Sequence, residues 1–237
     1  MPTAILIDGG FFLYRYPKIY GPIDLSRPEE EAKRVSQDLY RLAVKHLYVK
    51  KRRAGKVVWV RERELYRIFF YDCPPLTKRV HNPLSKKAIN LSETPTARFR
   101  NALHAELKAM RKVALRLGYL DEHNARWEIK PPVLEQLLKG KKRWEDLNAD
   151  DVYYYARQKG VDMRIGLDIA SMAFKKQVDQ IVLIAGDSDF VPAAKLARRE
   201  GIDFILDPMW NPIRPDLYEH IDGLRSTCPK PKTEGQP

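Results

Sequence analysis

An apolar run from Ile181 to Ala185 ends in Gly186 and then in two aspartates one residue apart, Asp187 and Asp189. A run this short, closed by a turn residue, reads as a strand buried on both faces, as in parallel sheets covered by helices on either side. The two carboxylates then stand at the strand's carboxyl end, where open α/β sheets hold their ligands. The chain opens in the same way, with Ala4-Ile-Leu-Ile running into Asp8-Gly-Gly10. Parallel neighbours of this kind bring Asp8 and Asp187, with Asp189 close behind, together from opposite ends of the sequence. Clustered carboxylates repel one another, and a divalent cation is the usual remedy.

Between these runs the pattern is mixed. From Ser26, a candidate N-cap followed by Glu29, Glu30 and Glu31, the residues Ala32, Val35, Leu39, Leu42, Ala43 and Leu47 recur at helical spacing. Two strands are expected at Val57–Val60 and Leu65–Tyr71, the second ending in Asp72 before Cys73-Pro-Pro75. A basic loop follows to about residue 94. A helix is then expected from Thr94-Pro95, with Phe99, Leu103, Leu107, Met110, Val113, Ala114 and Leu117 on one stripe and Gly118 as its stop. Weaker signals give strands at Trp127–Lys130 and Val152–Arg157, with a short helix at Val133–Lys139 between them. After Asp162, a candidate helix cap, an αβ rhythm returns: a helix to about Lys176, the Ile181 strand, a helix over Pro192–Glu200 and a strand over Ile202–Leu206. Strands alternating with helices imply a mostly parallel sheet, Rossmann-like and flanked by helices, with a basic helical insertion. The expected organisation is a single domain over residues 1–225 that includes the insertion at about 76–126, and a loose tail at 226–237.

At 237 residues and 44% hydrophobic content the chain can build a sizeable core, which argues against disorder. The net charge of +12 is unevenly placed. Residues 41–67 and 76–118 each hold ten Lys/Arg against two Glu, an excess of sixteen, so the remainder is net acidic. A basic track beside an acidic site suits a polyanion, and Tyr48, Trp59, Tyr66 and Phe99 within the basic segments offer rings for base stacking. The alternative is a merely solvated charged face. Cys73 and Cys228 fit no metal-ligand spacing and imply a reducing, cytoplasmic setting. No apolar run approaches the ~20 residues of a membrane helix, so no membrane partner is expected.

Five aspartates are weighed separately. Asp8, Asp162, Asp187 and Asp189 stand at strand ends or helix starts, and Asp168 lies six residues past Asp162. Asp162 and Asp189 are equally readable as helix caps, and Asp8 before glycine as a turn residue. Asp72 either lines the same edge or simply ends its strand. Jointly, three or four aspartates from separate strand ends suit Mg²⁺ or Mn²⁺, which take oxygen ligands and assist in-line displacement at phosphorus. No histidine, cysteine or serine arrangement points to a covalent route.

Leu6-Ile-Asp8-Gly-Gly-Phe, Tyr71-Asp72-Cys-Pro-Pro75, Lys159-Gly-Val-Asp162 with Leu167-Asp168, and Ala185-Gly-Asp187-Ser-Asp189-Phe190 together resemble the NYN domain family of PIN-like nucleases, in its bacterial LabA-like branch. The resemblance runs from residue 4 to about residue 225. It implies a PIN-like, Rossmann-like parallel sheet and metal-dependent endonucleolytic cleavage, usually of RNA; single-stranded DNA is the alternative nucleic-acid partner. By motif, Asp8, Asp162 and Asp187 take the places of the family's metal-binding acids, with Asp189 and Asp168 as further ligands or neighbours. Where many members carry an asparagine shortly after the first aspartate, this chain has Gly9-Gly10-Phe11. Backbone-holding residues are expected at Lys78, Arg79, Lys86, Lys87, Arg100, Lys108, Arg111 and Lys112, with Lys159 at the site itself. Two rivals stand beside the nuclease: a non-catalytic RNA-binding module, and a Rossmann-like phosphatase, whose usual second acid is replaced here by Gly10.

Overall fold

A computed structural model describes residues 2–53 and 55–231, without the side chain of Arg53. At its centre lies a six-stranded, all-parallel sheet. In chain order its strands are β1 (Pro2–Asp8), β2 (Glu64–Asp72), β3 (Val113–Leu117), β4 (Gln180–Ile184), β5 (Asp203–Asp207) and β6 (Gly223–Leu224). Across the sheet they run β3-β2-β1-β4-β5-β6. The chain thus winds outward from β1 to β3, returns to the other side of β1, and winds outward again. The crevice where the order reverses, between the carboxyl ends of β1 and β4, is where sheets of this topology bind ligands.

The period-two alternation of β1 shows how the sheet is held. Ala4 and Leu6 pack with Ile165 and Ile169 of α5 (Val161–Phe174) and with Ala194 and Ala197 of α6 (Val191–Arg199). Ile5 and Ile7 face the other layer, formed by α1 (Gly9–Tyr20), α2 (Pro28–Val44) and α3 (Pro95–Ala109). Burying each large apolar side chain contributes about 1.5–3 kcal/mol. Two-sided burial of the central strands therefore outweighs the contribution of β6, which is two residues long. The short α4 (Pro131–Leu138) buries no residue, α7 (Pro215–Tyr218) adds Leu217 to the core on the α5/α6 side, and among the described residues no helix is long and apolar enough to cross a membrane.

Several local expectations are corrected. Ser26 does not cap α2; its hydroxyl donates to Asp24, and the helix begins at Pro28, where the missing N–H costs nothing. Thr94 does cap α3, accepting from the Ala97 N–H at 3.3 Å, but the helix ends at Ala109. Lys112 then turns the chain at φ 62°, and Val113–Leu117 becomes the edge strand β3. A short apolar segment satisfies both the helical and the strand period, and here pairing with β2 decides. Within the segment expected as an insertion, α3 and β3 are therefore part of the central layers. The basic loop contains a hairpin, Arg79–His81 with Ala88–Asn90, and the Val57 strand pairs with Tyr48–Arg53. Two more small antiparallel ladders join Arg126–Ile129 to Val152–Tyr155 and Tyr119–Leu120 to Gln158–Lys159. The expected loose tail is anchored at its start: Thr227 donates to the Leu42 carbonyl and to Asp207, and Cys228 is buried. Residues 232–237 of that tail lie outside the described residues.

Candidate active site at the carboxyl edge of the sheet

Four strands deliver an aspartate to this edge: Asp8 from β1, Asp72 from β2, Asp187 three residues past β4, and Asp207 from β5. Asp8 caps α1, its Oδ1 accepting from the Phe11 N–H at 3.1 Å. The turn is too tight for a side chain at Gly9, where a Cβ would meet the Tyr71 carbonyl oxygen at 2.5 Å. Asp187 caps the short turn Ser188–Phe190 through the Asp189 N–H, also at 3.1 Å. The preceding Gly186 admits the Phe11 ring, which a Cβ would meet at 2.4 Å. Glycine at these two positions lets α1 close against both β2 and the end of β4.

Asp162 sits in the first turn of α5, one residue past Val161, with Gly160 at the cap position in the left-handed conformation at φ 77°. The capping role considered for Asp162 therefore falls to glycine, and the one considered for Asp189 falls to Asp187. Asp162, Asp187 and Asp189 are exposed, while Asp8 is largely covered.

The acids sense one another. The Asp8 carboxyl is pushed up to about 6, first by burial and then by the negative charges of Asp162 and Asp72, against the lowering effect of the Phe11 and Gly10 amides. Asp162 is raised by burial and by the charges of Asp187 and Asp189. Among the described residues none of these four acids forms an ion pair. Their neighbours differ. Asp72 is fully buried and accepts from Arg100 Nη2 at 2.7 Å, while its other oxygen lies 2.7 Å from His104 Nε2. Asp168 accepts from the Tyr71 hydroxyl at 2.8 Å and from Arg116 Nε at 2.9 Å, and burial followed by the Asp168 charge raises Tyr71.

Among the described residues, no three His, Cys, Asp or Glu side chains are grouped so that they could hold a metal ion. A closed protein cage is therefore not formed by Asp8, Asp162, Asp187 and Asp189. The chemistry of the donors still fits Mg²⁺ or Mn²⁺: they are hard oxygens without cationic partners, and Mg²⁺ is commonly held by one or two carboxylates, with waters and substrate phosphate completing the shell.

The expected basic residues divide by location. Arg100 is committed to Asp72. Lys108, Arg111 and Lys112 lie at the end of α3 and before β3, hence at the amino edge of the sheet, away from the acids; Lys112 also donates to the Leu65 carbonyl. Lys78 donates to the Glu122 carbonyl at 3.2 Å and lies 4.9 Å from the Tyr154 ring centre. Arg79, Lys86 and Lys87 are exposed on their hairpin. Lys159 pairs with Tyr119, just past the end of β3, in a two-residue antiparallel ladder at the acid edge.

Sequence reasoning missed Gln158, next to Lys159. Its Oε1 lies 3.5 Å from the point a Cβ on Gly10 would occupy, and Asp8 Oδ1 lies 3.4 Å from the same point. An exposed carboxamide therefore reaches the space beside Asp8 from a strand 150 residues later in the chain, with no local signal to reveal it. Arg100 and His104 did carry a signal: they are four apart on one helix, and the histidine lies among the apolar positions of that helix.

Among curated proteins, none matches this chain. One solved structure, that of a protein of unknown function from Vibrio parahaemolyticus RIMD 2210633, is similar at 16% identity over 94% of this chain and 90% of that one, with a TM-score of 0.41. The NYN domain model matches residues 95–209, which include Asp162, Asp168, Asp187 and Asp189; Asp8 lies outside the match and joins them through the pairing of β1 with β4. No comparison singles out a LabA-like branch. Over residues 95–209, just under half of the chain, the sequence is similar to the NYN domain family, a PIN-like, nuclease-type class, and the parallel sheet is consistent with that placement.

Proposed function

We propose that the chain is a Mg²⁺- or Mn²⁺-dependent endoribonuclease, with Asp8, Asp162, Asp187 and Asp189 as the acids that hold the ion. The observation that carries this reading is the cluster of acids without cationic partners at the switch point, beside neighbours that are fully paired. When bound, such an ion supplies Lewis acidity at a phosphoryl oxygen and lowers the pKa of water at the site. The chain's own part is to fix the acids on rigid strand ends and helix starts. Asp8 and Asp187 each spend one oxygen on a backbone N–H and keep the other free. The Gln158 carboxamide orients a phosphate or water next to Asp8, a role left open by Gly10. Lys159, Arg79, Lys86 and Lys87 contribute positive charge toward the phosphate backbone. Asp168 serves as a positioning residue, fixing the middle of α5 to β2 through Tyr71 and to β3 through Arg116. The buried free thiols of Cys73 and Cys228 accord with a reducing compartment such as the cytoplasm.

The absence of a preassembled three-ligand group among the described residues favours one other reading, a non-catalytic RNA-binding module. Incubation of the full chain with mixed-sequence single-stranded RNA separates the two. The nuclease reading expects internal cleavage with Mn²⁺ or Mg²⁺, none in EDTA, and none for Asp187→Asn with thermal unfolding unchanged. RNA binding without metal uptake or cleavage across varied RNAs would establish the module instead.

A further inference from the structure

We infer that a second concave surface, remote from the acids in sequence, binds a single strand of nucleic acid by stacking its bases on two tryptophans. The surface encloses a cavity of about 660 Å³ between the hairpin Tyr48–Arg53/Lys56–Arg61 and the chain that follows β5. Lys50 and Trp59 are opposite one another in the hairpin register, and Tyr48 lies on the same face as Lys50. Trp59 is 57% exposed, and Lys50 Nζ lies 5.2 Å from its ring centre.

The other wall is Trp210, 45% exposed, in a turn where Met209 (φ 47°) and Trp210 (φ 62°) are consecutive left-handed residues without being glycine. Such strain persists only where the surroundings enforce it, and it concentrates at ligand sites. Here the enforcement is visible. The Met209 N–H donates to Asp207 at 2.8 Å, and its carbonyl accepts from Arg15 at 2.8 Å. The Trp210 N–H donates to Ser226 Oγ, and its indole N–H donates to the Cys228 carbonyl, each at 3.0 Å. The indole is therefore tied by its edge while its face stays partly open. Arg225 locks the two walls together by donating to the carbonyls of Lys45, His46 and Tyr48.

Cations surround both indoles. Lys45, Lys50 and Arg225 line the cavity, Lys230 Nζ lies 5.9 Å from the Trp210 ring centre, and among the described residues no acid lines it. Preset aromatic faces flanked by ammonium groups select a flexible polyanion carrying flat rings. A duplex has its bases already stacked, and an acidic peptide supplies charge without the rings. Trp210 follows β5 at the same edge of the sheet as the acids, with only β4 between β5 and β1. The surface's use in holding substrate for cleavage rests on the nuclease reading; the binding itself does not.

The test uses the full chain in EDTA, titrated with a fluorescein-labelled U12 strand and followed by anisotropy and tryptophan quenching. Trp59→Ala and Trp210→Ala are each expected to weaken binding about 5- to 100-fold, with far-UV circular dichroism and thermal midpoint unchanged. Should Trp210→Ala unfold, the exposed Lys50→Glu keeps the question open: it is expected to weaken binding and to lower the salt slope by about 1. Folded variants that bind U12 like the parent overturn the inference, as does stronger competition by poly-glutamate than by unlabelled U12. Tryptophan-dependent binding without any cleavage would refute only the nuclease reading. Cleavage that is normal in both tryptophan variants, together with unchanged binding, would refute only this site.

Discussion

The aspartates at the ends of β2 and β5 and those at the ends of β1 and β4 are the same residue type in nearly the same place, yet their surroundings are opposite. Asp72 and Asp207 are fully buried, and the chain supplies hydrogen-bonding partners to both itself: Arg100 and His104 to Asp72, and His46 at 2.9 Å plus the Met209 and Thr227 amides to Asp207. Asp8 and Asp187 receive only backbone N–H groups, on one oxygen each, and face further acids. An uncompensated charge at a covered position is costly, and Asp8, the covered member of the inner pair, has no cationic partner among the described residues, which on the proposed reading leaves it for a charge from outside the chain. The outer aspartates are tied into the fold, and under the proposed function the inner ones, with Asp162 and Asp189, form the site.

The largest expected consequence is on the outer side. Asp72→Ala leaves the Arg100 guanidinium, 19% exposed at its side chain, without its partner, and should cost on the order of 3–5 kcal/mol in denaturant unfolding. Asp8→Asn should cost nothing or stabilise the metal-free protein; equal losses in the two variants would erase the distinction. On the inner side, Asp187→Asn should lower metal-dependent RNA cleavage by about 100-fold or more, roughly 2.7 kcal/mol of transition-state stabilisation, at an unchanged unfolding midpoint.

Acidity gives the next effect. The Asp8 carboxyl binds its proton more tightly folded, near 6, than at its ordinary value of 3.8. The folded state thus holds the extra proton between those values, and stability of metal-stripped protein should fall as pH rises from about 4 to 6, by up to ~3 kcal/mol. Unfolding midpoints measured across that range check the sign, and Asp8→Asn should flatten the profile. Gly186→Ala forces a methyl into the Phe11 ring, for a cost of about 1–3 kcal/mol read by thermal unfolding. The smallest effect concerns charge: Lys86→Glu should reduce the salt slope of RNA binding by about 1, whereas Lys108→Glu, at the far edge, should leave it unchanged.

Much of this arrangement was visible in the residues. Buried runs ending in Asp8, Asp72 and Asp187 announce a parallel sheet with acids at one edge, because burial on both faces leaves no alternation to misread. The edge strand β3 was hidden, since Val113, Ala114 and Leu117 also extend the stripe of α3, and only pairing with β2 breaks the tie. Arg100 read as a surface cation because a helical stripe says nothing about a partner 28 residues earlier. Trp210 and Gln158 gained meaning only from chain brought against them by the fold, Ser226 and Cys228 for one and Gly10 for the other.

Calorimetric titration of Mn²⁺ into the chelator-stripped full chain at pH 7 tests the division of labour most directly. The parent and a folded Asp207→Asn variant should take up the ion, and Asp8→Asn and Asp187→Asn should lose that uptake. No binding by the parent, or binding that survives both inner substitutions, would contradict the account.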